Sequence, residues 1–598
     1  MITKAHIYNK VKGIGKKASY LILLSSAPFM LASCLDTIIL PDDKTVDEDF
    51  WQTKADVASM VNAAYQGMVS EPVIERLIVW GDFRSDELVL GTEATGSLHD
   101  ALEEMAAVNM QTTNTYASWA SLYSVINKCN IVLARAEEVM GVDPNYTEGD
   151  YKVDRAHMLA LRSLCYFYLV RNYRDVPYSD QAFMNSSQDN QIPQSSPDYV
   201  LERCIKDLEE AAPNAVNPRS YANSEWRRVG WMTRDGINAL LADIYLWRAS
   251  VKHSAADYQR CIDYCDQVIE SKRAQHIRGR NEVEEKAYPL ANGEDEYRAL
   301  FIDQNAEESI FELQCRANNA LCRYYYKWSA STGAYRNSLE GFLKAGNIFA
   351  NTASKVSAVS ANQVFSANDL RYYAAIFSGG EESSDVRKMI SNKSVESKTQ
   401  EARDSRMWES VGLNENYIVY RLTDVMLMRA EALVQIANEA DENDTNLQEA
   451  FRLVQAVNNR SLYRDNMTDS MTWKNYSGYS KLQMEQLVME ERLRELCFEG
   501  KRWYDLLRFN YRHVEGVDYS RTFGEQLDAN AGFTPVANNA DMLTLLTRSR
   551  GTDASAIAAK MQNEAYLYLP VPNSDIIVCP LLRQNPAYKN TNEYQKSY

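Results

Sequence analysis

Apolar residues recur at three- and four-residue steps along most of this chain, the spacing that lays one face of a helix against a core. Val57, Met60, Val61, Ala64, Tyr65 and Met68 form the first stripe. The same pattern predicts helices over 116–140, 156–171, 198–211, 235–250 and 258–269. Late in the chain it returns over 422–437, 447–459 and 485–509. Three of these stretches, "ALRSLCYFYLV", "INALLADIYLWRA" and "LMRAEALVQIA", combine alanines, which let helices approach closely, with aromatics that fill the grooves between them.

Helix pairs of this style resemble degenerate tetratricopeptide units, although the spacing is not a regular repeat. The periodicity fades over 271–420 and 511–598, which are richer in Asn, Ser, Gly and charge and carry short extended candidates such as 309–314. Long irregular segments inside a folded body are usually functional. The expected fold is therefore mostly α. Tetratricopeptide-like pairs over 50–270 and 421–510 form a scaffold, and a loop-rich part with a few short strands forms the ligand-binding surface.

The first residues read as an export signal. Lys4, Lys10, Lys12, Lys16 and Lys17 precede any acid, and an apolar run from Tyr20 to Leu31 follows, interrupted by Ser25, Ser26 and Pro28. That run is shorter than the ~20 apolar residues a membrane span needs, so it fits a cleaved signal, residues 1–33. It ends in Leu31-Ala32-Ser33-Cys34, which resembles a bacterial lipobox and makes Cys34 the expected lipidation site. More than one acyl chain is needed for stable anchoring. Residues 34–49, with Asp36, Asp42, Asp43, Asp47, Glu48 and Asp49, then form a hydrated acidic tether.

The formal charge of −17 repels phosphate backbones and argues against a nucleic-acid partner. Ten cysteines, one of them Cys34, leave an odd number that cannot all pair. Cys129, Cys165, Cys204 and Cys497 lie in apolar helical surroundings, where cysteine acts as a small core residue. Cys261/Cys265 and Cys315/Cys322 lack zinc-ligand spacing, so no metal or other cofactor is expected. Tyrosine is abundant, 37 against 16 Phe, and its flat ring with a polar edge suits both sugar stacking and the semi-buried positions of helical hairpins.

Four motifs together resemble the RagB/SusD family. "ALRSLCYFYLVRNYRDVPY" at 160–178 resembles its hallmark helix and exit, with Arg174 where the family usually has Gly. "FEGKRWYDLLRF" at 498–509, with Glu490, Glu491 and Arg492 before it, resembles the C-terminal helix. "YLYLPVPNSDIIVCPLLRQNPAY" at 566–588 resembles the closing segment, departing at Cys579 and Ala587. "DFWQTKADVASMVNAAYQGM" at 49–68 also fits. Within these motifs Glu499 and Arg502 are spaced to pair with each other, and Gly500 permits close backbone packing.

The resemblance implies a lipoprotein of the outer membrane, facing the cell exterior. It would capture an oligosaccharide or polysaccharide, or in some branches a peptide, and deliver it to a TonB-dependent, SusC-like transporter. Members bind without cleaving, and the chain has no HExxH, GxSxG, P-loop or dinucleotide glycine motif. A glycan site needs aromatic platforms flanked by hydrogen-bonding groups. The densest candidates are Tyr324, Tyr325, Tyr326 and Trp328, then Trp80 with Asp82 and Asp86. Consecutive aromatics at 324–326 equally suit a strand with one buried face. The run Asp441 to Asp444 suits calcium or, more simply, a solvated interhelical loop. A helical-repeat scaffold for membrane protein assembly is the remaining alternative.

Overall fold

The computed structural model describes residues 50–588 except a few isolated positions and the stretches 280–287, 292–297, 316–323, 330–333, 337–340, 350–363, 379–383, 389–414, 463–469, 530–544 and 546–552. Cys34 and the rest of residues 1–49, where an export signal and tether are expected, lie outside the described residues.

The chain is mostly helical, and its long helices fall where the apolar stripes put them. Lys54–Met68 starts on a capping box: Thr53 accepts from the Asp56 N–H and the Asp56 carboxylate accepts from Thr53. It buries Val57, Val61, Ala64 and Met68 against Ala120–Val139. That helix packs on Glu148–Tyr173, which packs in turn on Pro197–Ala211. Arg234–Lys252 pairs with Ala255–Gly279, which runs beyond 271, where the loss of periodicity suggested the helices would stop. Ala255–Gly279 also packs directly on Leu422–Ile436, the next long helix of the stack. The intervening stretch is therefore an insertion into a continuous layer, and the stack resumes through Thr445–Arg460 and Lys481–Leu496. Ala160, Ala239, Ala242, Ala249 and Ala430 are fully buried at these contacts, as close helix approach requires.

Among the described residues, five two-stranded antiparallel sheets are carried mainly by the loop-rich part. The extended candidate near 309 is strand Ser309–Leu313, paired with Tyr417–Arg421 at the entrance to helix Leu422–Ile436. Among the described residues, eight cysteines are buried and unpaired, and no helix is long and apolar enough to cross a membrane.

Two expectations change. The helix expected over 485–509 is two helices, Lys481–Leu496 and Arg502–Arg512. The break comes at Phe498 and Gly500, which have φ of 64° and 72° and cannot continue a right-handed helix. Glu499 and Arg502 flank this turn and do not pair with each other. Glu499 accepts from Arg421, and Arg502 donates to Asp86.

Arg174 ends the helix Glu148–Tyr173 at φ 64°, a conformation that favours glycine. Its side chain offsets that strain. The fully buried guanidinium donates to Asp175 at 2.7 Å and to the Arg521 carbonyl at 3.0 Å, and it lies 4.3 Å from the Phe523 ring. Arg174→Gly removes about 1 kcal/mol of strain but leaves the Asp175 and Glu564 carboxylates buried without their cation. Breaking a buried pair costs roughly 3–5 kcal/mol. Urea unfolding is therefore expected to show a net loss for Arg174→Gly, despite glycine being the better backbone residue.

Candidate ligand-binding site

Helix Glu71–Ile78 runs on into one wide turn, Val79–Phe83, that carries Trp80 and Asp82. Both are fully buried. The Trp80 indole N–H donates to the Tyr116 carbonyl at 2.9 Å, and its ring meets Tyr173 edge-on at 5.6 Å. The Asp82 carboxylate accepts the Gly500 N–H at 2.9 Å. Burial pushes this carboxyl up to about 7, against the opposing pull of that N–H. Glu87 accepts the Phe498 N–H at 3.0 Å, and burial raises it too. Asp86 takes Arg502 Nε at 2.9 Å and Nη2 at 3.2 Å.

The run Trp80–Glu87 is thus one half of an internal lock, and the turn 498–502 is the other. Gly81 and Gly500 form its seam. A Cβ on Gly81 would sit 2.6 Å from the Gly500 Cα, so both backbones need the missing side chain. Trp80, Asp82 and Asp86 were expected to face a ligand. Their zero exposure gives them a different place, in the interior.

Tyr324 and Tyr325 are also buried, at 1 % each, as the alternative expected, but on helical backbone and not in a strand. The Tyr324 hydroxyl bonds the Tyr116 hydroxyl, and its ring meets Phe342 at 5.6 Å. Tyr325 packs near Phe498 at 6.5 Å. Tyr326 lies outside the described residues. Trp328 lies in strand Lys327–Ser329, where its register partner is Tyr335 of Ala334–Arg336.

The two regions picked from the sequence do meet. Strand Leu88–Leu90 pairs with Leu343–Ala345, the Gly91 N–H donates to the Phe342 carbonyl at 2.8 Å, and Tyr116 bridges Trp80 to Tyr324. Segments far apart in sequence therefore form one floor, seated on the 498–502 turn. The residues named at 80–86 and 324–325 belong to that floor, and the hairpin bearing Trp328 follows directly from it.

Beneath the floor lies a lattice of buried ion pairs that the sequence did not disclose. Glu495 accepts from Arg421 at 2.6 Å, Arg371 at 2.9 Å and Arg460 at 2.5 Å. Arg371 also reaches Glu491 at 2.7 Å, and Arg421 is bidentate on Glu499. Arg492 joins Asp505 to Asp424, and Arg508 is bidentate on Glu431. The only visible signal was the density of Glu and Arg in 485–512.

For metals, the described residues bring His99, Asp100 and Glu103 together on one exposed helix face. Asp444 is spent as the N-cap of Thr445–Arg460, accepting from Asn446 and Leu447. This agrees with an interhelical loop.

Comparison with known proteins gives one consistent result. Residues 282–588 match the model of the SusD family, and residues 40–246 match a second model described as "Starch-binding associating with outer membrane". SusD-like protein P38 of Formosa agariphila is 25% identical over 530 residues, 82% of this chain and 91% of the relative. A SusD-like protein of Bacteroides ovatus is 21% identical over 96% of this chain and 99% of its own length. Among solved structures, a SusD homolog from Bacteroides thetaiotaomicron superposes with a TM-score of 0.63 at 17% identity, covering 91% of this chain and 99% of that one. B. fragilis NanU gives 0.60 at 16% identity, covering 92% and 100%. At these identities the structural likeness speaks for the fold.

Proposed function

This chain belongs to the SusD family, and on that premise we propose that it is a surface-exposed lipoprotein that binds an oligosaccharide or polysaccharide. It hands the glycan, uncleaved, to a TonB-dependent, SusC-like transporter in the outer membrane. The observation that carries this reading is the convergence of segments 88–91 and 342–345 and of Tyr324 on one buried floor. A floor fixed by buried bonds reduces the ordering cost of capture. Trp328 and Tyr326 are the proposed ligand contacts. Trp80, Asp82, Asp86, Tyr324 and Tyr325 belong to the buried floor. The second family model adds weight, since its description joins glycan binding to the outer membrane.

The test is calorimetric titration of the mature chain with a panel of neutral oligosaccharides and, in parallel, a peptide pool. The expected result is a saturable glycan isotherm, recovery of the glycan intact, and at least tenfold weaker binding in Trp328→Ala. Binding of peptides alone would move the protein to the peptide-binding branch. Turnover of the glycan would overturn the reading.

Anchoring is proposed to rest on Cys34, with the tether 34–49 letting the body move over the transporter mouth. Cys34→Ala is expected to release the protein from the membrane fraction with glycan affinity unchanged. Retention in that fraction would refute the lipid anchor.

A further inference from the structure

Trp226 is exposed, at 41 %, whereas Trp51, Trp80, Trp119, Trp247 and Trp503 are buried. Trp226 precedes the short helix Arg227–Gly230, far in sequence from Trp80 and from Trp328. Its seat is constructed. A Cβ on Gly230 would lie 2.6 Å from Trp226 Cε3 and 2.8 Å from Gln314 Cγ, so the indole rests directly on glycine backbone. Trp231 meets it at a right angle, with ring centroids 6.2 Å apart. Trp231 is in turn held by Tyr65, stacked at 6.2 Å, and by His157, edge-on at 4.9 Å. The Tyr65 hydroxyl is fixed by the Met232 N–H and by His157 Nδ1.

At the edge of this corner the Arg227 guanidinium sits 5.8 Å from both the Tyr221 and the Trp231 rings and pairs with Glu225 at 3.0 Å. Both partners keep part of their side chains in solvent. The corner therefore combines an immobilised, exposed indole, a second ring set at a right angle to it, and a planar donor beside a planar acceptor.

A sugar ring matches each of these parts. Its C–H face stacks on an aromatic ring, and its hydroxyls both donate and accept. Glu225 cancels the charge of Arg227, and the chain as a whole is acidic, so an anionic ligand gains nothing here. Rings already held in place add little ordering cost on binding. Gln314, which like Trp226 borders Gly230, immediately follows strand Ser309–Leu313, from which the chain continues toward Trp328.

We propose that the Trp226 corner is a second saccharide-binding platform, which takes a neutral hexose unit of a polymer that also engages the loop-rich face. The proposal rests on the glycan reading above and adds a second point of contact to it.

The test is affinity electrophoresis of the mature chain in gels containing soluble starch, xylan, galactomannan or mixed-linkage β-glucan. The parent is compared with Trp226→Ala, Trp226→Phe, Gly230→Ala and Trp328→Ala, each checked for folding by circular dichroism. In the gel that retards the parent, Trp226→Ala is expected to lower polysaccharide affinity about two- to tenfold, with Trp226→Phe retaining most of it. Gly230→Ala should weaken retention as Trp226→Ala does, because it lifts the indole. Calorimetric affinity for a tetrasaccharide that fills the loop site alone should be unchanged in Trp226→Ala. Full retardation of Trp226→Ala in a gel where Trp328→Ala runs free overturns the second platform and leaves the loop site standing. A parent that is retarded in none of the gels and binds no oligosaccharide overturns both.

Discussion

Glu495→Ala is expected to leave little or no folded protein at 37 °C. Arg371, Arg421 and Arg460 all converge on this one carboxylate, with Arg371 and Arg421 at 0–1 % side-chain exposure. Burial pushes the Glu495 carboxyl up, but Arg460, Arg421 and Arg371 outweigh it and hold it well below the usual carboxylate range. Removing one partner of a buried pair costs about 3–5 kcal/mol, because the other charge stays desolvated. Here three guanidiniums lose an acceptor at once, against a typical total stability of roughly 5–15 kcal/mol. Glu495→Gln keeps the shape and one acceptor and should be milder. Urea unfolding of the two variants checks the order.

The same lattice sets a pH dependence. Glu431, Glu491, Glu495 and Glu499 are all held below their ordinary values, with burial opposed in each case by paired arginines. Their contribution is complete above the unfolded carboxylate value near 4.3 and is lost as pH falls through the folded values. Asp82 has the opposite sign. Its folded value is raised to about 7, so its contribution fades as pH rises from about 4 toward 7. Acid unfolding should therefore be steep below about pH 4 and lessened in Glu431→Gln.

Gly81→Ala carries the second-largest expected effect. The added methyl would enter the space of the Gly500 backbone, 2.6 Å from its Cα and carbonyl carbon, and backbone cannot rotate aside as a side chain can. Gly500 is itself pinned, since its N–H is on Asp82 and a Cβ on it would meet the Tyr417 hydroxyl and the Leu77 carbonyl. Relief therefore requires the 79–87 and 498–502 segments to part. Overpacking of this kind costs about 3 kcal/mol. The separation also exposes Asp82, so its pKa should fall toward the ordinary value. Denaturant midpoints measured at pH 5 and pH 7 check both effects. A stability change under about 0.5 kcal/mol would mean that the seam is not tight.

Much of this architecture is legible in the sequence, because helix burial leaves a period that local reading detects. Val57, Val61, Ala64 and Met68 mark their helix without any long-range information. The break at Phe498 is different. A non-glycine residue at positive φ has no periodic signature, and it is held by Glu87 more than 400 residues away in the chain. The same distance explains the reassignment of Trp80, Asp82 and Asp86. A tryptophan flanked by acids reads alike for a sugar platform and for a buried lock, and only the partners Tyr116, Gly500 and Arg502 distinguish the two. Trp226 carried the opposite ambiguity. Exposure cannot be read from composition, and the glycine that seats its indole is an ordinary Gly until the packing is known.

The central claim is that the strongest motifs form an internal lock while the ligand is held by the loops above it. Hydrogen–deuterium exchange of the mature chain, with and without a saturating glycan, tests this most directly. The expected result is ligand-dependent protection at 327–345 and at 88–91, with exchange across 481–512 already slow and unchanged. Protection confined to 481–512 or to the helical stack, with 327–345 unaffected, would contradict it.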